Sequence, residues 1–355
     1  MKNIQTKKHT IELGSLIESS FQNILTDRYK GSNKVILVDE NTHDYCLEYL
    51  LTNFTELQEA EVMLLPVGEE NKVMEVCFQV WEALSEYKIG RKDVVINLGG
   101  GVVTDMGGFI ASIYKRGIDF INIPTSLLAM VDASIGGKTG IDLGPYKNQL
   151  GTFTDPQALY IDPSFLQSLP EEELLNGYAE MLKHGLIADK KYWKELITIT
   201  SLDDLMDVDK IETSIRIKNQ IVEIDPNEQN QRKKLNFGHT IGHALEGYFL
   251  ESNPIGHGHA VGIGMITEAF LSYRKGLLKE EQWNEIQVTL LAIFPLIDFG
   301  KDDIANIIEL MKNDKKNFEG EIKSCLLEEI GVCVFDQTIT EPEIREALSF
   351  LLAIQ

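Results

Sequence analysis

Two patterns of apolar positions divide the sequence. In the first half, short apolar runs alternate with stretches whose apolar residues recur at helical spacing. The runs predict strands over 34–39, 62–66, 94–98 and 120–123, and the periodic stretches predict helices over 72–87 and 102–115. Strands that alternate with helices predict a parallel sheet that binds its ligand at the carboxyl edge.

The pattern changes after the segment 163–170, and long helical periodicity follows. It predicts helices over 171–188, 207–224, 240–250, 260–275, 279–294 and 303–313, with a small hairpin from 321–327 and 330–335. The fold class is therefore α/β, with a parallel-sheet domain over residues 1–168 and a mostly helical domain over residues 169–355. We expect the functional site in the cleft between the two domains.

Composition narrows the class of protein. The chain has 355 residues, 43% hydrophobic and 25% charged, and a net charge of −22. A surface this acidic argues against nucleic-acid or anionic-membrane partners, although one basic pocket can still bind an anion. The four cysteines are scattered without a CxxC pair, and no apolar run approaches the ~20 residues of a membrane span. We expect a cytoplasmic protein with reduced thiols.

A glycine-rich turn carries the strongest chemical signal. The apolar run 94–98 ends at Gly99-Gly100-Gly101, where a helical pattern begins. Such a turn presents free backbone N–H groups at the end of a sheet, and these groups bind phosphate. We therefore predict a nucleotide-binding α/β domain in an enzyme. A GxGxxG sequence is absent, so the ordinary dehydrogenase fingerprint is missing.

A histidine cluster predicts a metal site in the helical domain. His239 and His243 are four residues apart and face one side of a helix, and His257 and His259 follow in a glycine-rich loop. Imidazole is a common zinc ligand, and one carboxylate often completes the site. Glu180 is the leading carboxylate, since it lies in an otherwise apolar helical face. Spacing alone nominates both His239 and His243 as ligands.

Basic residues concentrate beside these motifs although the chain is acidic. They predict a substrate with two or more negative charges, and they are Arg116, Lys138, Lys147, Lys183, Lys218 and Arg232. Asp132 lies in the apolar segment AMVDASIGG and needs a partner if it is buried. Lys138 and a substrate hydroxyl are both candidates for that partner.

The ordered motifs resemble the 3-dehydroquinate synthase family of the sugar phosphate cyclase superfamily. They are GGGVVTD, YKRG, IPTSLLAMVDASIGGKTG, KNQLGTF, YAEMLKHGLI, LNFGHTIGHALE, HGHAVGIGM and DKK, and they extend from about residue 35 to residue 316. The resemblance implies a phosphate-eliminating lyase of the shikimate pathway that converts 3-deoxy-D-arabino-heptulosonate 7-phosphate to 3-dehydroquinate. Transient oxidation by NAD⁺, β-elimination, reduction and aldol closure would follow one another. It also implies one zinc or cobalt ion and a homodimer.

The resemblance assigns roles residue by residue. It implies the metal ligands Glu180, His239 and His257, which moves His243 from the metal to the substrate phosphate. The NAD⁺ contacts it implies are Asp39, Gly68, Glu69, Lys72, Gly101, Val102, Val103, Thr104, Asp105, Thr125, Ser126, Lys138, Lys147, Phe165 and Ser168. The implied catalytic and substrate-binding residues are Asp132, Lys138, Asn148, Lys183, Lys218, Glu228, Arg232, Asn236, His243, Lys315 or Lys316, and Arg116, which would reach the neighbouring subunit's site.

Three positions depart from the family pattern. Thr104 stands where glycine is common, Ser126 where threonine is common, and His259 replaces the glutamate of HGEAV. A second imidazole beside a metal ligand can alter metal affinity, but residues i and i+2 need not converge. We expect the His259 ring to point away from the metal site.

Three alternatives stay open at this point. Another sugar phosphate cyclase, such as a 2-epi-5-epi-valiolone or 2-deoxy-scyllo-inosose synthase, would share the coenzyme and metal but not the carboxylated substrate. A glycerol-dehydrogenase-like enzyme would release NADH. A non-catalytic binding module is hard to reconcile with a metal cluster and an anion pocket in one chain. The combination of Lys218, Arg232, Asn236 and His243 favours the dehydroquinate enzyme.

Overall fold

The structure is a computed structural model that describes residues 1–144, 146–250, 252–312 and 322–354. These residues form two compact units. The first unit comprises Met1–Pro170 and Met206–Asn219, and the second comprises Glu171–Leu205 and Gln220–Gln355. In the described part of the chain, every helix is too short or too polar to cross a membrane.

A seven-stranded sheet forms the centre of the first unit. The strands of this unit are β1 (Lys2–Gln5), β2 (Thr10–Leu13), β3 (Lys34–Asp39), β4 (Glu61–Leu65), β5 (Val94–Gly99), β6 (Asp119–Pro124), β7 (Lys138–Leu143), β8 (Tyr146–Phe153) and β9 (Ala158–Ile161). The sheet order is β1-β2-β9-β6-β5-β3-β4, while β7 and β8 pair separately as an antiparallel hairpin. In the large sheet only β1 runs in the opposite direction, antiparallel to β2, and the other six strands are parallel and end at one carboxyl edge.

Helices cover this sheet because its inner strands are apolar on both faces. All six residues of β5 are buried, as expected for a strand with helices on either side. The helices that precede residue 170 are α1 (Phe21–Asn23), α2 (Glu40–Thr42), α3 (Glu48–Asn53), α4 (Met74–Glu86) and α5 (Gly101–Ile113). Three further segments have π-helical geometry, namely Ile24–Arg28, His43–Leu47 and Ala129–Ala133.

The second unit is mostly helical. The helices beyond residue 170 are α6 (Glu171–Ala188), α7 (Lys190–Leu196), α8 (Val208–Ile224), α9 (His239–Phe249), α10 (His257–Arg274), α11 (Glu280–Ile293), α12 (Asp303–Lys312) and α13 (Glu341–Ala353). Strands β10 (Ile322–Glu329) and β11 (Val332–Ile339) form an antiparallel hairpin. The first part of α8 groups with the first unit and its last residues with the second.

The predicted α/β fold class is confirmed, and so are the predicted strands, helices and hairpin. The four predicted strands and the two helices between them agree with the structure to within two residues. The sequence pattern missed β1, β2 and β9, which have only four residues each, and also the hairpin strands β7 and β8. It also missed α7 and α13, although α13 begins with a readable capping box between Thr340 and Glu343.

Helix α10 corrects one prediction. The sequence predicts that His257 and His259 lie in a glycine-rich loop before a helix over 260–275, but the helix already begins at His257. Its glycines are needed for close packing and not for a turn. A Cβ atom at Gly258 would lie 2.5 Å from the Asn176 Cα, and one at Gly264 would lie 1.9 Å from the Gly238 carbonyl oxygen. His257 and His259 therefore lie in the first turn of a helix.

Candidate functional site

The glycine-rich turn lies at the carboxyl edge of the sheet, as the strand pattern predicts. Strand β5 ends at Gly99, Gly100 precedes the first turn of α5, and Gly101 begins that helix. The Thr125 N–H, just after β6, donates to the Gly99 carbonyl oxygen at 3.0 Å. This turn leaves the amino-terminal N–H groups of α5 at the edge where an anion can bind.

Several other predicted coenzyme contacts follow neighbouring strands of the same sheet, whereas Lys138 and Lys147 lie in the β7–β8 hairpin. Asp39 ends β3, Gly68 and Glu69 follow β4, Thr125 and Ser126 follow β6, and Phe165 and Ser168 lie in the 3₁₀ turn after β9. Asp39 also caps α2, since its carboxylate accepts from the Thr42 N–H at 2.7 Å. Five adjacent strands thus direct predicted contacts to one edge, which is where α/β sheets bind nucleotides.

Two of the departures from the family pattern have structural explanations in this turn. The Thr104 hydroxyl is buried and lies 3.1 Å from the carbonyl oxygens of both Gly100 and Gly101, so it bonds within its own helix. The Ser126 hydroxyl accepts from the Ala129 N–H at 3.3 Å. Both side chains therefore satisfy local backbone groups.

Lys72 organises a polar cluster that the sequence did not predict. Its ammonium group is 2.8 Å from both the Asp105 carboxylate and the Asn148 side-chain oxygen, and 3.7 Å from Glu69. Burial by itself lowers the pKa of Lys72, but Asp105 and Glu69 outweigh it and raise the pKa. Burial raises the pKa of Asp105, and Lys72 opposes that shift. Four predicted site residues thus meet in one charged cluster.

Removing the Lys72 charge is expected to destabilise the first unit. The Lys72→Met substitution leaves the Asp105 carboxylate without its closest cation, at a cost of about 3 kcal/mol. Adding Asp105→Asn removes the uncompensated charge, so the double variant should recover part of that loss. Thermal unfolding midpoints of the two single variants and the double variant measure this coupling. Additive losses would contradict the paired arrangement.

Asp132 pairs with Lys218. The carboxylate of Asp132 is 2.8 Å from the Lys218 ammonium group, which also donates to the Asp132 backbone oxygen at 2.6 Å. Asp132 lies in the π-helical segment Ala129–Ala133, a geometry that often occurs at functional sites. The sequence predicts Lys138 or a substrate hydroxyl as the partner of Asp132. The Lys218 contact was missed because the two residues are 86 positions apart.

In the second unit, three side chains converge in the arrangement of a metal site. The Glu180 carboxylate on α6 lies 3.4 Å from the His239 Nε2 on α9 and 3.7 Å from the His257 Nε2 on α10. Their potential ligand atoms all lie within 4.8 Å of one another. One carboxylate and two imidazoles form a donor set that zinc accepts, and a fourth position is left for another ligand.

The electrostatics of this cluster distinguish its three members. Burial raises the pKa of Glu180, but Lys183 and His239 outweigh it and hold that pKa well below its ordinary value. Burial and the nearby Lys183 lower the pKa of His239. Burial also lowers the pKa of His257, but Glu180 and Glu246 outweigh it and raise that pKa to about 9. Glu180 is thus a carboxylate anion at neutral pH and His239 a neutral imidazole, the forms in which both groups bind metals.

Backbone contacts orient His239. Its Nδ1–H group donates a hydrogen bond to the Phe237 carbonyl oxygen at 3.1 Å, which leaves Nε2 directed toward Glu180. Glu268, fully buried on α10, accepts from the N–H groups of Gly238, Thr240 and Ile241 at 2.8–3.3 Å. Glu268 was not predicted from the sequence, although it has the same signal as Glu180, a carboxylate in an apolar helical pattern.

The remaining predicted residues of the second unit lie next to this cluster in sequence. Lys183 contacts Glu180, one turn away on α6. Arg232 and Asn236 lie in the 3₁₀ turn Gln231–Asn236, which leads into α9. Arg232 is buried and donates to the Pro226 carbonyl oxygen at 2.6 Å, and the Asn236 amide donates to Glu228 at 2.6 Å.

Backbone strain coincides with several predicted site residues. Six non-glycine residues among those described have positive φ angles, and three of them are Arg116 (69°), Asn148 (50°) and Glu228 (57°). The left-handed conformation costs about 1–2 kcal/mol for Arg116 and Glu228, and less for Asn148, because asparagine tolerates it. Strained residues cluster at functional sites, so this coincidence supports the predicted roles.

The predictions for His259 and for the lysines of the DKK motif have different outcomes. The His259 ring bonds the Pro295 carbonyl oxygen and lies beside the Phe294 ring, with 6.3 Å between ring centroids. It therefore points away from the Glu180 cluster, as expected. Lys315 and Lys316 lie outside the described residues.

The sequence matches two family profiles that together cover most of the chain. A profile described as 3-dehydroquinate synthase N-terminal matches residues 62–176, and one described as 3-dehydroquinate synthase C-terminal matches residues 177–317. A 3-dehydroquinate synthase of Parabacteroides distasonis is 39% identical over 344 residues, which cover 94% of this chain and 95% of that protein.

Solved structures of two related cyclases share the fold. A 2-epi-5-epi-valiolone synthase of Streptomyces hygroscopicus subsp. jinggangensis, solved with NAD⁺ and Zn²⁺, has a TM-score of 0.82 and 25% identity, covering 100% of this chain and 99% of its own. A 2-deoxy-scyllo-inosose synthase complexed with carbaglucose-6-phosphate, NAD⁺ and Co²⁺ has a TM-score of 0.84 and 23% identity, covering 98% of this chain and 99% of its own. At that identity the second likeness concerns the fold alone.

Proposed function

Because the chain belongs to the 3-dehydroquinate synthase family, we propose that it converts 3-deoxy-D-arabino-heptulosonate 7-phosphate to 3-dehydroquinate and phosphate. The observation that carries the proposal is the convergence of Glu180, His239 and His257 within 4.8 Å. Arg232 and Asn236 lie on the segment that leads into the same cluster. A cation site flanked by donors for anions fits a substrate that bears hydroxyl, carboxylate and phosphate groups.

The cofactors that fit these residues are NAD⁺ and one zinc or cobalt ion. When bound, NAD⁺ supplies a reversible hydride acceptor, and the metal ion supplies a Lewis acid for substrate hydroxyls. Glu180, His239 and His257 would hold the metal. The turn at Gly99–Gly101 and the residues after β3, β4, β6 and β9 would hold the dinucleotide. The relatives of known structure were solved with these cofactors.

The basic residues would bind the two anionic groups of the substrate. We assign the carboxylate to Lys218 and Arg232, and the phosphate to His243, Asn236, Lys138 and Arg116. Lys218 is already held by Asp132, so the pair can also order a water or hydroxyl for proton transfer. Lys183 would fix Glu180, since the two groups are in direct contact. Asn148 and Glu228 complete the polar lining, and their strained backbones support this role.

Phosphate release tests the proposed function. Purified protein supplied with NAD⁺ and the carboxylated heptulosonate is expected to release phosphate without net accumulation of NADH. A chelator should stop the release, and added Zn²⁺ or Co²⁺ should restore it. Sedoheptulose 7-phosphate, which lacks the carboxylate, serves as the matched substrate. Faster turnover of sedoheptulose 7-phosphate would favour a valiolone-type cyclase, and net NADH formation would favour a dehydrogenase.

We further propose that the protein is a homodimer in which Arg116 reaches the neighbouring site. Lys115, Arg116 and Gly117 all have positive φ angles, and Arg116 is exposed. An exposed arginine on a strained turn fits a residue that contacts a group outside its own subunit. The expected cytoplasmic location stays a prediction.

Subunit complementation is expected to reveal this arrangement. Arg116→Ala and His257→Ala homodimers should each be nearly inactive, because each lacks one essential group at both sites. In a randomly mixed dimer population, one intact site per heterodimer restores about a quarter of the wild-type activity. Co-expression with two affinity tags, followed by phosphate-release assays, measures the restoration. If Arg116 acts within its own subunit, the heterodimers stay inactive.

A further inference from the structure

A second carboxylate lies on the far side of His257. His257 Nε2 faces Glu180 at 3.7 Å, while its Nδ1 lies 3.6 Å from the Oε2 atom of Glu246. The imidazole ring thus stands between two carboxylates, one directed toward each nitrogen. Glu246 is the last residue of the motif LNFGHTIGHALE, but the family resemblance assigns it no role.

Glu246 is placed by the helix that carries His239. It lies seven residues after His239 and three after His243 on α9, so the three side chains share one face. Helix α10 crosses this helix at close range, because a Cβ atom at Gly242 would lie 2.9 Å from the Ala260 carbonyl oxygen. This approach sets His257, the first residue of α10, against the Glu246 side chain.

Burial makes a purely structural role for this carboxylate costly. Glu246 is 8% exposed, and an ionised carboxylate at that depth needs polar partners. His239 lies two turns before Glu246 on α9, and its Nδ1 atom is held by the Phe237 carbonyl oxygen. The Glu246 carboxylate faces the Nδ1 atom of His257 on the corresponding side of the ring, at 3.6 Å, and leaves Nε2 directed toward the metal site.

We propose that Glu246 is a positioning residue for the metal site, which orients the His257 ring and keeps its Nε2 available for the metal. The inference rests on the proposed function, since it assumes that His257 is a ligand. The Nδ1–Oε2 distance of 3.6 Å is in the range of an ion pair and slightly longer than a hydrogen bond. Carboxylates in this position make a ligating histidine more basic and fix its ring orientation.

Metal affinity tests the proposal without relying on turnover. Apo-protein is titrated with Co²⁺ against a competing chelator, and the visible absorption of the bound cobalt is recorded. Glu246→Ala should weaken Co²⁺ binding about 10- to 100-fold and change the spectrum. Glu246→Gln keeps an acceptor oxygen of the same reach, so it should recover much of the affinity.

Glu285→Gln is the matched control. Glu285 on α11 is a carboxylate that accepts from the side chains of Trp193 at 2.7 Å and Lys194 at 2.6 Å, and it is not part of the histidine cluster. This variant should bind Co²⁺ as the wild type does. If folded Glu246→Ala protein binds Co²⁺ with wild-type affinity and spectrum, the proposal is wrong. Co²⁺ binding by His257→Ala protein tests separately whether His257 is a metal ligand. Failure of the Glu246 proposal can therefore be distinguished from failure of the proposed metal site.

Discussion

His257→Ala is expected to give a folded protein that has lost its metal ion and about a thousandfold or more of its turnover. The substitution removes one of the three donors that converge at Glu180, and two donors hold zinc poorly. His257 lies at the first residue of α10 and its side chain is 26% exposed, so truncation leaves the core intact. Metal content after dialysis and phosphate release together measure the effect.

His259→Ala is the control for this prediction. It removes an imidazole from the same helical turn, but that ring faces Pro295 and Phe294. We expect wild-type metal content in this variant. Full activity of metal-free His257→Ala protein would refute the ligand assignment, and loss of metal from His259→Ala would show that the ring orientation described above is not maintained in solution.

Gly264→Ala is expected to have the largest effect on stability. A Cβ atom at this position of α10 would lie 1.9 Å from the Gly238 carbonyl oxygen and 2.8 Å from the Gly242 nitrogen. Both are backbone atoms of the α9 region, so the two helices must separate, at a cost of about 3 kcal/mol or more. Because Gly238 immediately precedes His239, the metal affinity should fall as well.

Gly247→Ala provides a matched comparison in α9. Its new Cβ would meet only one Leu310 methyl group, at 4.0 Å. Alanine favours a helix over glycine by about 1 kcal/mol, so this variant should be as stable as the wild type or slightly more stable. Thermal unfolding of the metal-free proteins measures both effects. Equal midpoints for the two variants would contradict the close contact between α9 and α10.

The sequence pattern predicted what depends on short-range periodicity and on ordered motifs. The strands β3, β4, β5 and β6 are continuous apolar runs, and α6 has the predicted bounds. The start of α10 could not be predicted this way. A glycine that permits close contact between helices cannot be distinguished, in the sequence alone, from a glycine that forms a loop.

The geometry of the candidate site could not be predicted from the spacing of residues along the sequence, because it depends on contacts between distant segments. The i,i+4 rule nominated His243 together with His239, and only the family resemblance replaced it with His257. The structure places Glu180 against His239 and His257, which is consistent with that change. The Lys72–Asp105 and Asp132–Lys218 pairs join residues far apart in the chain, so they required coordinates. The roles of these residues in catalysis stay predictions.

The left-handed backbone at Arg116, Asn148 and Glu228 has a consequence for laboratory evolution. Glycine adopts that conformation without the steric cost that a side chain incurs. A selection for heat resistance alone should therefore favour glycine at these positions. The resulting proteins would have a higher thermal stability but a lower catalytic activity. If the three side chains persist in a second selection, in which growth also requires the enzyme, they are retained for their chemistry although they lower the stability of the protein.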